Sequence, residues 1–290
     1  DRLLARSETF YDDRGHVYQT KRYAVNVDTG AVGNSLVSNT WHDAAGHAVK
    51  QQPAGSQAFT KTVYDSLGRA VKQYLGYDTD ETAYADASSV SDDTIVEQSE
   101  ITYDDAGNVL QTTTRQRFHN ATGTGELTTP SGSQPKARVT YAAMYADEIG
   151  RQIAVANYGT YGGATFSRAS VVPSRTDTIL VTSTEYNDAG QAYKTIDRAG
   201  REDRRVFDNA GRVVKSIQNY TDGDPATGNS DEDVTVEMNY NADGQLSTLT
   251  AKNPTTGDQT TTYVYGTTLT ESEIATSTLK RAEIYPDSDD

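Results

Sequence analysis

This 290-residue chain has no cysteine, one tryptophan, two methionines and five phenylalanines. Without cysteine there can be no disulfide, no Cys-ligated zinc, no iron–sulfur cluster and no thiol catalysis, although the compartment stays open. Hydrophobic residues make up 35% of the chain. That is too little for a large dry core in the one or two domains this length could hold. No run of about eighteen apolar residues is present to span a bilayer, so no membrane insertion is expected within the segment. Positive charge is also short: 26 Lys and Arg stand against 41 Asp and Glu, for a net charge of −15. With no basic stripe to offset it, that balance argues against nucleic acid or anionic lipid as a partner. The signatures HExxH, GxSxG, a Walker loop and GxGxxG after a strand are all missing, so the chain reads as non-enzymatic and without a cofactor.

Tyrosine is abundant, at nineteen residues. Such side chains are half apolar and half wet, which suits a thin sheet with solvent on at least one face. The stretch YNDAGQAYKTIDRAGREDRRVFDNAGRVVKS, Tyr186 to Ser216, repeats one short phrase. Aligned on its glycine, the phrase occurs nine times, at YDDRG (Gly15), HDAAG (Gly46), YDSLG (Gly68), YDDAG (Gly107), ADEIG (Gly150), YNDAG (Gly190), IDRAG (Gly200), FDNAG (Gly211) and YNADG (Gly244). Asp or Asn can accept its own downstream backbone N–H, and Gly supplies a positive φ, so each phrase predicts a hairpin turn. Flanking segments such as VTVEMNY (Val234 to Tyr240) alternate with the two-residue period of strands. Gly190, Gly200 and Gly211 are ten and eleven residues apart. Turns there must alternate between the two edges of an antiparallel meander. Longer insertions at residues 77–93, 120–136, 158–177 and 220–233 are expected to project from one rim. One short helix is the most that Thr270 to Ala282 supports, on the capping-box spacing of Thr270 and Glu273.

The pattern Tyr-Asp-x-x-Gly-Arg, complete in Tyr64, Asp65, Gly68 and Arg69 of YDSLGR and continued by Asp104, Gly107, Asp208, Gly211 and Arg212, resembles the RHS or YD repeat family. The resemblance runs from Tyr11 to Gly244 and weakly to Tyr285, so residues 1–290 read as one continuous array. It implies an all-β, single-layer antiparallel hairpin meander curling into a spiral or hollow shell. Bacterial members include toxin-complex components and polymorphic toxins that enclose a C-terminal effector, and animal relatives include the adhesion teneurins. The family's self-cleaving core is not recognisable in these residues, so no protease activity is carried over. The Arg position is filled by His16, His47, Asn108, Gln191 and Gln245 in some copies, and the Tyr position by His42, Ala146 and Ile196. A chain that opens at Asp1 with DRLLARSETFYDD and stops at YPDSDD, as if entering another turn, reads as a segment of a longer polypeptide.

A single sheet must hold itself by ladder hydrogen bonds and cross-strand pairs and leaves its edges open, so adjacent repeats or further copies are the expected partners. The implied role is the wall of a secreted or surface-displayed shell, scaffold or fibre enclosing a toxin or effector. The alternative is an adhesion module that binds glycan or a cell-surface protein through its insertions. Tyr158, Tyr161 and Phe166 in NYGTYGGATF are the candidate contact residues for that reading. The four histidines read as turn-flanking side chains and the recurrent Asp residues as turn acceptors. The acidic stretches at 77–93 and 221–233 lack EF-hand spacing and read as solvated loops, with calcium left open. Asn120 and Asn219 begin N-x-T sequons, which matter only in a glycosylating pathway.

Overall fold

A computed structural model describes residues 2–78, 87–266 and 276–286. Among the described residues the chain is all-β, with eighteen strands paired antiparallel. Among the described residues, helix is confined to a 3-10 turn at Tyr161–Gly163 and to residues 87–88. Two compact units divide the chain: Asp1–Tyr145 with Asn157–Val171, and Ala146–Ala156 with Val172–Asp290.

In the first unit, β1 (Arg6–Tyr11), β2 (Val17–Val25), β3 (Val32–His42), β4 (Ala48–Gln52), β5 (Ala58–Tyr64), β6 (Ala70–Tyr77), β7 (Thr94–Tyr103), β8 (Val109–Arg117) and β9 (Ala137–Ala146) follow in order. Each pairs with the next. Strand β10 (Gln152–Gly159) is divided between the units. In the second unit, β11 (Leu180–Tyr186), β12 (Ala192–Ile196), β13 (Glu202–Phe207), β14 (Val213–Gln218), β15 (Val234–Tyr240), β16 (Leu246–Ala251), β17 (Gln259–Tyr265) and β18 (Lys280–Ile284) form a second run of consecutive hairpins. The meander expected from the turn spacing is therefore present. Within each unit the phrases close odd-to-even hairpins on one edge, whereas the turn at Gly200 joins β12 to β13 on the other. The longer insertions join even strands to odd ones, opposite to the phrases within each unit.

Two insertions do more than project. Leu127, from the segment between β8 and β9, packs with Phe59, Tyr74, Ile95 and Ala137, and Val90, from the segment between β6 and β7, packs against the same group. They supply a partial second layer that the single-layer expectation did not include. Gly76 belongs to this packing, because a Cβ there would lie 2.9 Å from Ile95 Cδ1 and 3.0 Å from the Thr94 carbonyl. Charge is buried beside the apolar groups. Lys61 Nζ lies 2.7 Å from Asp93 Oδ2 and also donates to the Ser89 carbonyl. Burial pushes the Asp93 carboxyl upward against the pull of Lys61. Lys50, also buried, sits over the Phe59 and Trp41 rings.

The short helix expected over Thr270–Ala282 is not seen where the chain is described. Thr270 and Glu273 lie outside the described residues, and residues 277–279 form a turn leading into β18. Pairing with β17 at Tyr265↔Lys280 and Val264↔Ala282 overrides the local helical preference.

Candidate functional site: a column of linked turns

Each phrase builds the same turn. At Tyr64–Arg69, the Asp65 amide donates to the Arg69 carbonyl and the Gly68 amide donates to the Asp65 carbonyl. Gly68 has φ +78°, and the ladder shifts register between Val63 and Tyr64. This is a three-residue hairpin loop with a glycine bulge. Asp65 Oδ1 accepts the Leu67 and Arg69 amides, both at 2.9 Å, and Oδ2 accepts Arg69 Nε at 2.8 Å. The same pattern recurs at Asp147/Arg151, Asp197/Arg201 and Asp208/Arg212. With the Arg69 amide as the largest cause, these bonds hold the Asp65 carboxyl below its ordinary range; Asp208 behaves likewise through Arg212. Asp104 stays low chiefly through the Asn108 side chain. Asn187 and Asn241 pair with Gln191 and Gln245 instead, each through a 2.8 Å amide–amide bond.

The residue after the glycine also reaches the next turn along the same edge. Arg69 lies 4.6 Å over the Tyr103 ring, Arg151 4.4 Å over Tyr186, and Arg212 4.4 Å over Tyr240. His47 stacks on Tyr64 at 4.7 Å. The ring then bonds back: Tyr64, Tyr103, Tyr186 and Tyr240 donate their hydroxyls to the carbonyls of Ala48, Ala70, Gln152 and Val213 at 2.9–3.1 Å. Each acceptor directly follows the residue whose side chain covers that ring. Amide copies make the step without a ring, Gln191 donating to the Gly211 carbonyl and Gln245 to the Ser277 carbonyl. Every link is worth only about 0.5–1.5 kcal/mol. What holds this edge is their repetition.

At Asn108 and Ala146 the phrase supplies neither partner. In the first unit, Arg168 from the insertion after β10 instead donates Nε to the Leu110 carbonyl at 3.0 Å and Nη2 to the Met144 carbonyl at 2.7 Å, with its guanidinium over Tyr145. Nothing in the repeat pattern marks Arg168, which lies outside every phrase. The reach from one Arg position to the next Tyr position follows from placing odd-to-even turns on one edge, yet the irregular insertions between copies hide it in the sequence.

Of the three loop aromatics, Tyr158 is buried, and its hydroxyl lies 3.3 Å from that of Tyr145. Phe166 stacks on Tyr141 at 4.5 Å and meets Tyr158 and Tyr161 edge-on. Only Tyr161 presents an exposed ring, at 38%. These contacts turn Tyr158 and Phe166 inward, against the expectation that the loop displays them. In the acidic insertion, Asp233 is fully buried and accepts the Thr221, Asp222 and Gly223 amides together with the Thr221 hydroxyl. Burial alone would raise this carboxyl, but those bonds bring it down to about 2. Asp222 and Asp224 likewise accept groups of their own loop, so the loop's own donors occupy these carboxylates. Asn219 donates its side-chain amide to the Asp231 carbonyl.

The chain matches no known family profile and no curated protein. Among solved structures it is similar to the crystal structure of TcdB2-TccC3-TEV, at 13% identity over 89% of this chain and 14% of that one, with a TM-score of 0.29. TcdB2-TccC3 without its hypervariable C-terminal region gives 11% identity over 90% and 14%, with a TM-score of 0.33. The Photorhabdus luminescens Tc holotoxin pore gives 14% identity over 89% and 14%, with a TM-score of 0.27. The chain thus spans about one-seventh of the length of each, and no residue role is carried over from them.

Proposed function

We propose that this chain is a non-catalytic wall segment of a larger secreted or surface-displayed shell, scaffold or fibre, enclosing a toxin or effector. The observation that carries this reading is the turn column: within each unit, most side chains at the Arg and Tyr positions of the phrase are engaged in joining one hairpin to a neighbour. Such an edge extends by adding copies, and its stability is a sum of neighbour terms, as in other repeat arrays. Its partners on this reading are adjacent repeats or further copies. The alternative is adhesion through the insertions, and of the three loop aromatics named for it Tyr161 is the exposed one.

Electron microscopy of the full-length protein tests the proposal. A continuous curved wall with internal space is expected; separate solid globules joined by linkers would overturn it. Replacing Tyr161 with serine should leave that wall unchanged, whereas loss of cell or glycan binding with the wall intact would select the adhesion reading.

A further inference from the structure

We propose that Asp12, His16 and His42 form a binding site for one divalent transition-metal ion of the zinc class. The site arises where the column has histidine in both of its linking positions: His16 after the turn glycine, and His42 in the next Tyr position. Elsewhere that pair places a guanidinium or an imidazole on a phenol, as at Arg69–Tyr103 and His47–Tyr64. Here two imidazoles face each other, with ring centroids 5.0 Å apart and planes at 27°. Asp12 Oδ2 stands 3.0 Å from His16 Nδ1, and one donor atom from each of the three residues lies within 4.8 Å of the others.

Two imidazole nitrogens and one carboxylate oxygen are a donor set that zinc accepts, with metal–ligand distances of about 2.0–2.2 Å. Converging on an ion requires donors about 3.3 Å apart for tetrahedral geometry, so binding requires the half-buried His42 ring to turn out of its stack on His16 until its lone pair faces the Asp12–His16 pair. Asp12 and His42 also border a cavity of about 260 Å³ with Tyr18, Asn39, Thr40 and Trp41. That opening leaves room for water in a fourth position. The ion would also restore what this step lacks. Where Tyr64 or Tyr103 ties its turn to the previous strand through a hydroxyl, the His42 ring makes no hydrogen bond to any described residue. Bound metal would clamp the β1–β2 hairpin to the β3–β4 hairpin.

The test is isothermal titration of the tag-free full chain with zinc chloride at neutral pH, together with thermal unfolding with and without zinc. One equivalent should bind, and zinc should raise the melting midpoint. Asp12→Asn, His16→Gln and His42→Tyr each introduce a residue found at the same repeat position in another copy, at Asn187, Gln191 and Tyr64. Each should keep the circular dichroism spectrum and weaken binding by at least about tenfold. His47→Gln should leave binding unchanged. Absence of saturable one-equivalent binding, or its survival in His42→Tyr, would overturn the site. Should a variant unfold, X-ray absorption of the zinc-loaded native chain decides the matter: two imidazoles with oxygen are expected, and an all-oxygen shell refutes the assignment.

Discussion

Gly68 sits at φ +78°, and a Cβ built there would lie 2.8 Å from His47 Nε2. A β-branched replacement therefore meets both an unfavourable backbone region and the stacked imidazole of the previous copy. Gly68→Val should cost about 1–3 kcal/mol in urea unfolding. Gly68→Asn should cost less, since asparagine tolerates the left-handed region. Equal losses would show that contact with His47 matters more than backbone strain. The ring position offers a cleaner separation of effects. Tyr103→Phe keeps the ring under Arg69 and removes only the bond to the Ala70 carbonyl, for an expected loss of about 0.5–1.5 kcal/mol. Tyr103→Ala should lose clearly more, and a Phe variant as unstable as the Ala variant would place the whole link in the hydroxyl. At this scale the turn chemistry was legible, because Asp, Gly and the residue after it act within five positions of one another. The reach of Arg69 to Tyr103 was not, because the two stand thirty-four positions apart in the chain.

At the scale of elements, hairpins and edges could be read from spacing, whereas the fate of the insertions could not. Leu127 and Val90 fold back onto Phe59 and Ile95, and no periodicity in a loop announces which of its few apolar residues will be buried. The 219–233 insertion shows a second such case. Among several acidic residues, Asp233 alone is fully enclosed by its loop's amides, a distinction that composition does not carry. Its consequence is measurable. A carboxyl held at about 2 in the folded chain, against about 3.9 unfolded, contributes stability that is complete above the unfolded value. That contribution is lost as pH falls through the folded value. Asp233→Asn should therefore be less stable than the native chain at pH 6, with the difference shrinking between about pH 4 and pH 2. The lowered carboxyls of Asp65 and Asp208 add to acid lability in the same direction and persist in the variant. A difference that stays constant with pH would mean that Asp233 acts through packing alone.

For the whole molecule, the alternation of edges sets which rearrangements the chain can survive. In the second unit, phrases at Gly190, Gly211 and Gly244 close hairpins on one edge, and the turn at Gly200 lies on the other. Removing residues 192–212 deletes two turns and two strands, β12 and β13, and joins Gln191 directly to β14. Strand direction is conserved, and Gln191 takes the place of Arg212 as the residue preceding that strand. Removing residues 192–201 deletes β12 and one turn only. Every later strand would then have to reverse its direction or its face, since side chains alternate with a period of two. The array reading predicts that the first deletion yields a folded chain with the same β-type circular dichroism and a modestly lower midpoint. The second should yield a chain that aggregates or loses cooperative unfolding, because its turns and insertions fall on the wrong edges. If the longer deletion proved as damaging as the shorter one, the unit would be a single cooperative fold that depends on each strand, and stability as a sum of neighbouring steps would have to be abandoned. Survival of both would instead show that the turn column does not set the register of the strands it joins.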